Sequence, residues 1–161
     1  MWVAVVGSQT FGTCPCLTRP ALATQEHRTS CPALHAFQLM MATITRLAKD
    51  PELEGIVSGG APGADSLAKQ CAGMLGVRFL EIKPRSGPEP FRQRAMDRNT
   101  RVVKKAAKVV AFFAPGDPSP GTSDTVTKAR LELKPTYVWR AGSWEVTEPA
   151  TAGPSASRTA S

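Results

Sequence analysis

Five short apolar runs, separated by longer polar or helical segments, constrain the fold of this chain more than any other feature. The runs are WVAVV (2–6), GIVSGG (55–60), VRFLEI (77–82), KVVAFFA (108–114) and PTYVW (135–139). Most are continuous rather than alternating, which is typical of strands covered on both faces, as in parallel sheets. The sequence therefore predicts an α/β protein with helices on both sides of a mainly parallel sheet.

The segments between these runs predict the rest of the architecture. Helical patterns or helix starts occur at 34–49, 65–75, 91–105 and 125–133. Five strands joined by right-handed crossovers predict a three-layer Rossmann-like sandwich with strand order 3-2-1-4-5. We expect one domain over 1–140, with an irregular insertion loop at 12–33. The residues 141–161, rich in Ser, Thr, Ala, Pro and Gly, are expected to form a disordered tail.

Charge and hydropathy limit the partners that we expect. The longest apolar runs are far shorter than the roughly 20 residues that span a bilayer, and the N-terminus lacks the pattern of a signal peptide. We therefore expect a cytoplasmic protein with no membrane partner. The net charge is +7, and segment 83–108 holds nine Lys or Arg residues against two acids. This segment favours an anionic partner, above all a phosphorylated small molecule, with a nucleic acid as the weaker alternative.

Glycine-bearing turns follow three of the apolar runs: GSQTF (7–11), SGGAPGAD (58–65) and SPGTSDT (119–125). Ligands of parallel sheets bind outside the carboxyl ends of the strands, so we expect these turns to converge on one rim. Free N–H groups at helix starts there would hold an anion. DRNTRVV (97–103) adds an arginine suited to phosphate. The candidate ligand-binding residues are Gly7, Ser8, Gln9, Thr10, Ser58, Gly59, Gly60, Gly63, Asp65, Arg98, Asn99, Gly121, Thr122 and Ser123.

Asp65 is the one carboxylate among these candidate residues, and its role stays open at this point. A carboxylate that faced a phosphate would repel it. Asp65 therefore caps the following helix by accepting backbone N–H bonds, or reaches a ribose hydroxyl. A third alternative is that Asp65 is the catalytic carboxylate of a nucleotide hydrolase. No Gly-Lys-Ser/Thr follows the glycines, so the stretch is not a Walker A motif.

The order of these motifs resembles the SLOG superfamily, the Rossmann-like group of the DprA/Smf and LOG proteins, and within it the YspA-like branch. The resemblance is carried by GS-x-TF, SGGA-x-GAD, RN and GT in sequence over residues 2–139. It implies binding of a nucleotide or a nucleotide-derived ligand such as NAD or ADP-ribose, by a sensor or processor that self-associates as a homodimer. The alternatives that it implies are hydrolysis of a glycosidic or phosphate bond through Asp65, and DprA-like single-stranded DNA binding through 83–108. Thr125 stands where the LOG phosphoribohydrolases have Glu.

The predicted insertion loop and the start of the helix after it contain a group of metal-ligand residue types. Zinc favours cysteine and histidine ligands, and five of them lie within 22 residues: Cys14, Cys16, His27, Cys31 and His35. The Cys-x-Cys spacing departs from the usual Cys-x₂₋₄-Cys, however, and prolines at 15 and 32 interrupt regular geometry. We therefore expect an ordinary loop with reduced thiols and no metal.

Overall fold

Six strands form a single sheet in the part of the chain that the structure, a computed structural model, describes: residues 1–149. The order is β3-β2-β1-β4-β5-β6. The first five strands along the chain pair in parallel, and β6 pairs antiparallel to β5. This confirms the predicted mainly parallel, Rossmann-like order and adds a sixth strand. The strands are β1 (Trp2–Gly7), β2 (Gly55–Ser58), β3 (Phe79–Glu81), β4 (Lys108–Phe112), β5 (Thr136–Arg140) and β6 (Ser143–Thr147).

Helices cover both faces of the sheet and complete three layers. In the described residues they are α1 (Gln25–Ser30), α2 (Pro32–Leu47), α3 (Ala64–Met74), α4 (Phe91–Lys105) and α5 (Pro120–Leu131). Apolar side chains of α2 and α3 pack on one face of the sheet, and those of α4 and α5 pack on the other. Among these elements, no helix combines the length and the apolar character that a membrane crossing requires.

Strand β1 shows why the apolar runs are continuous. Val3 and Val5 belong to the core under α2 and α3, whereas Ala4 and Val6 belong to the core under α4 and α5. Successive side chains of a strand point to opposite faces. Both faces are covered here, so neither can be polar.

The C-terminal part of the chain departs from prediction. We expected disorder from residue 141, but residues 143–147 form β6. Ala141 and Gly142 both have positive φ angles, 49° and 79°, which suits a two-residue hairpin turn. Trp144 then packs edge-on against Trp139, with ring centroids 5.3 Å apart. The disorder prediction is therefore wrong for 143–147, and residues 150–161 lie outside the described residues.

The insertion loop at 12–33 is also more ordered than expected. It contains two 3₁₀ turns, Pro15–Leu17 and Pro20–Leu22, and the short helix α1. Helix α2 begins at Pro32, two residues before the predicted start, because proline is well suited to the first helical position.

Candidate functional site

The three glycine-bearing turns do converge at the carboxyl edge of the sheet, around a cavity of about 760 Å³. We call it the sheet-edge cavity. It lies beside the ends of β1, β2 and β4, where the strand order reverses, which is where ligands bind in sheets of this class. Its lining residues are Val6, Gly7, Gln9, Thr10, Gly59, Ala61, Asp65, Arg98, Asn99, Val102, Pro115, Gly116, Asp117, Pro118, Ser119, Pro120, Gly121, Thr122 and Thr125.

Nine of the fourteen sequence-based candidates line this cavity, and five do not: Ser8, Ser58, Gly60, Gly63 and Ser123. Ser8 is fully buried, and its hydroxyl accepts a hydrogen bond from the N–H of Ala114 at 3.0 Å. This bond ties the turn after β1 to the end of β4. Ser8 therefore supports the cavity wall from behind. The sequence-based set missed the whole loop 115–119, although its Gly and Pro residues signal a turn.

Asp65 joins the first two turns. One carboxylate oxygen accepts the N–H of Gly7 at 3.2 Å, and the other accepts the N–H groups of Gly59 and Ala61 at 3.1 and 3.2 Å. Capping of α3, one of the alternatives for Asp65, is therefore not observed, because all three donors precede that helix. The side chain clamps the turn after β2 onto the turn after β1.

The environment of Asp65 supports this clamping role. The residue is only 4% exposed, and burial raises the pKa of its carboxyl group. The Ser58 hydroxyl, the N–H groups of Ala61 and Gly7, and the charge of Arg98 act in the opposite direction and lower that pKa. With both oxygens already accepting backbone N–H bonds, the carboxylate has little capacity left to act as a general base.

Gly63 is required by the protein's own backbone. Its φ of +82° suits glycine, and a Cβ there would collide with the carbonyl oxygens of Ser8 and Gln9. The glycine lets the start of α3 approach the first turn, where the N–H of Ala64 donates to the Ser8 carbonyl at 3.2 Å. Gly63 therefore shapes the cavity without lining it.

Arg98 is the one basic side chain of segment 83–108 that lines the cavity. Its Nη1 donates to the Gly59 carbonyl at 3.0 Å, and its Nε donates to Asn99 Oδ1 at 3.2 Å. A guanidinium group carries five N–H donors, so most remain available. None of the ion pairs among residues 1–149 includes Arg98. Its positive charge is therefore not taken up by an ion pair, although it acts on the nearby Asp65 carboxylate, and it can attract an anionic ligand.

Asn99, a candidate ligand-binding residue, makes its hydrogen bonds within the protein. Its Nδ2 donates to the Gly121 carbonyl at 3.2 Å and to Asp124 Oδ2 at 3.0 Å. Because its oxygen also accepts from Arg98, the amide is engaged at both ends. Asn99 therefore positions Arg98 and the start of α5, and its N–H donors are not free to contact a base.

The start of α5 offers free backbone donors to the cavity. Ser119 precedes it in the left-handed conformation, at φ 39°, and its hydroxyl lies 2.6 Å from that of Thr122. Pro120 takes the first helical position. Among the described residues, no acceptor meets the N–H of Gly121 or of Thr122. An added Cβ at Gly121 would have no heavy atom within 4 Å, so the space beside it is open.

Asp117 places a negative charge at the cavity and was not among the sequence-based candidates. Its carboxylate accepts the Thr10 hydroxyl at 2.6 Å and the N–H of Ser119 at 2.9 Å. The Thr10 hydrogen bond lowers the pKa of Asp117, so the group is ionised at neutral pH. The pair fixes the turn after β1 to the loop before α5.

Two other basic residues of segment 83–108 donate hydrogen bonds to nearby backbone carbonyl groups and do not line the cavity. Arg94 donates to the carbonyls of Glu89 and Arg85, and Arg101 donates to the carbonyl of Lys83. The positive potential at the cavity therefore arises from Arg98 and from the start of α5. Segment 83–108 as a whole contributes less positive charge to the cavity than its composition suggests.

A second group of functional residue types lies outside the cavity. Cys14, Cys16, His27 and Cys31 bring one side-chain ligand atom each to within 4.8 Å of all the others. The loop was expected to be ordinary, and the structure instead gathers all four of its Cys and His residues. His35, which lies in α2, stays apart, with its Nε2 at 3.0 Å from the Thr29 carbonyl.

Comparison with known proteins does not extend these observations. No protein-family model matches the sequence, and no curated protein matches it either. The SLOG resemblance accordingly rests on the motifs alone and stays a prediction.

Proposed function

We propose that the sheet-edge cavity binds a nucleotide or a nucleotide-derived ligand of the NAD or ADP-ribose kind. The observation that carries this proposal is the convergence of three separate glycine-bearing turns and Arg98 on one cavity at the switch point of a parallel sheet. Its volume of about 760 Å³ falls within the range of roughly 300 to 1,000 Å³ that is usual for small-molecule sites.

The phosphate group is assigned to the start of α5. The unpaired N–H groups of Gly121 and Thr122 and the positive end of the helix dipole favour an anion there. Arg98 lines the same cavity and adds a positive charge that the nearby Asp65 carboxylate compensates only in part. Backbone N–H groups and a guanidinium group are the kinds of donor that bind phosphate oxygens.

The remaining walls suit the less polar parts of a nucleotide. Val6, Val102 and Pro115 give apolar surface on which a base or a ribose can pack. Gln9 and Thr10 are exposed at the edge and offer hydrogen-bonding groups. Asp117 repels additional negative charge, which favours a ligand with one or two phosphates over a polyanion such as DNA.

Binding without hydrolysis is the activity that the lining favours. Among the described residues that line the cavity, the carboxylates are Asp65 and Asp117, and both accept hydrogen bonds from the protein. None of these lining residues is a histidine or a cysteine. A sensor or carrier of a nucleotide-type ligand is therefore our conclusion, and release of free base or phosphate would instead indicate the hydrolase.

Substitution of Gly121 by Ala tests the proposal without disturbing the fold. The added methyl group meets no protein atom within 4 Å, and because a helical Cβ tilts toward the N-terminus it would enter the phosphate position. Calorimetric titrations with ADP, NAD and ADP-ribose should show binding by the native protein. Gly121→Ala should weaken it at least about tenfold, or about 1.4 kcal/mol.

Gly73→Ala is the matched control. Gly73 lies in α3, also has open space beside it, and does not line the cavity, so its variant should bind as the native protein does. Absence of binding by all three nucleotides, or equal binding by the Gly121 and Gly73 variants, would contradict the proposal.

A further inference from the structure

We propose that Cys14, Cys16, His27 and Cys31 bind a structural zinc ion that holds the insertion loop together. This site is separate from the sheet-edge cavity, and the proposal does not depend on nucleotide binding. It replaces the expectation from the sequence that this loop takes no metal.

The separations between the four ligand atoms are close to those of a tetrahedral site. With Zn–S distances of about 2.3 Å and Zn–N of about 2.0–2.1 Å, two sulfurs lie about 3.8 Å apart, and a sulfur and a nitrogen about 3.6 Å apart. The Sγ atoms of Cys16 and Cys31 are 3.6 Å apart, and Cys14 Sγ is 3.2 Å from His27 Nε2. All pairs fall within 4.8 Å, so movements of about 1 Å or less complete the geometry.

The local backbone explains how an unusual spacing produces this arrangement. Cys14 precedes the first 3₁₀ turn and Cys16 lies in it, which brings a Cys-x-Cys pair to one point. His27 lies in α1, and Cys31 is the residue between α1 and α2. Pro15 and Pro32 both take first helical positions. The prolines therefore start the turns that present the ligands and do not interrupt them.

The loop has almost no other means of holding its shape. The two 3₁₀ turns and α1 contain no buried residue, and Leu17 and Leu22 are 65% and 46% exposed. In the stretch from Gly12 to Cys31, the buried residues are Cys14 and Cys31 themselves. Short segments that cannot bury an apolar core are commonly stabilised by a metal or by disulfides. The side chains that do converge here are a zinc ligand set.

Zinc is the metal that this ligand set favours. Three thiolates and one imidazole in a four-coordinate arrangement are typical of structural zinc sites. The protein supplies all four ligands, so the site is closed to substrate and its role is to stabilise the loop. Binding releases the thiol protons to solvent, and zinc affinity therefore falls at acidic pH.

Metal analysis of the full chain tests the proposal. Protein purified without chelator should contain about one zinc per chain by mass spectrometry of the metal, and a chelator should remove the zinc and lower the melting temperature. Cobalt added to the metal-free protein should produce the absorption band of cobalt–thiolate charge transfer. Cys16→Ser should lose the zinc and the band.

Two control variants separate the site from general effects. Cys71→Ser removes a buried thiol outside the cluster, and His35→Asn removes an exposed histidine outside it, so both should keep the zinc. If Cys16→Ser does not fold, the cobalt titration of the native sequence decides alone. A folded native protein that takes up neither zinc nor cobalt with its thiols reduced, or that is isolated with a Cys16–Cys31 disulfide, would overturn the proposal.

Discussion

Replacing Asp65 by Asn should destabilise the protein whether or not a ligand is present. The carboxylate accepts three backbone N–H bonds, from Gly7, Gly59 and Ala61, at 3.1–3.2 Å. The amide of Asn has the same shape but only one acceptor oxygen. Its Nδ2 must face either one or two of these N–H groups, which then lose their acceptor in a buried position.

The magnitude follows from the number of lost bonds. A hydrogen bond to a charged acceptor contributes about 1.5–3 kcal/mol, and the more favourable orientation of Asn loses only the bond from Gly7. Because burial raises the pKa of Asp65, the neutral amide avoids part of the cost of burying a charge. We expect a net loss of about 2 kcal/mol, and a melting temperature lower by about 4–8 °C for a chain of this size.

Thermal unfolding followed by circular dichroism measures this effect directly. Asp97→Asn is the matched control, because Asp97 is exposed on α4 and the same substitution there should move the melting temperature by less than about 1 °C. An Asp65→Asn variant as stable as the native protein would refute the clamping role. If such a variant also lost a nucleotide-hydrolysing activity, Asp65 would be catalytic.

Two further substitutions test how the turns are held. Gly63→Ala places a Cβ against the carbonyl oxygens of Ser8 and Gln9, and at φ 82° and ψ −124° its backbone conformation also disfavours alanine. Gly76→Ala has a positive φ but no neighbour within 4 Å, and should lose about 1–3 kcal/mol of stability to backbone strain alone. In urea unfolding Gly63→Ala should lose clearly more stability than Gly76→Ala, and equal losses would contradict the account. Thr10→Val removes the hydroxyl that lowers the pKa of Asp117 from 3.8. A carboxyl group with a lowered pKa stabilises the fold at pH values above its unfolded pKa. The native protein should therefore have a higher melting temperature than Thr10→Val at pH 7, and the difference should shrink as the pH falls below 3.8. A difference in melting temperature that does not change with pH would show that Asp117 is not involved.

The sheet was predictable because its signals are local. Continuous apolar runs such as 2–6 and 108–114 report burial on both faces, and crossover rules then fix the strand order. Strand β6 escaped prediction because it lies in a segment of polar composition and its packing rests mainly on Trp144, which contacts Trp139 in the same hairpin and the distant Phe112 of β4. A hairpin turn of Ala141 and Gly142 was a weak signal by comparison.

The candidate site was predictable only as a set of turns. The glycines marked where the chain bends, but composition could not distinguish Arg98 from Asn99. Among the described residues Arg98 makes no ion pair, whereas the amide of Asn99 is held by Gly121 and Asp124. The Cys–His group was missed for a related reason. The closeness of Cys14 to His27 depends on the 3₁₀ turns between them. Spacing rules drawn from other zinc motifs do not cover this backbone conformation.

The central claim is that the N–H groups at the start of α5 face a phosphate-bearing ligand. Titration of isotopically labelled protein with ADP-ribose, followed by amide resonances in two-dimensional NMR, tests it most directly. We predict that the largest shifts occur at Gly121 and Thr122, with smaller shifts at Gln9 and Thr10. Saturable shifts centred elsewhere, or none at millimolar ligand, would contradict the account.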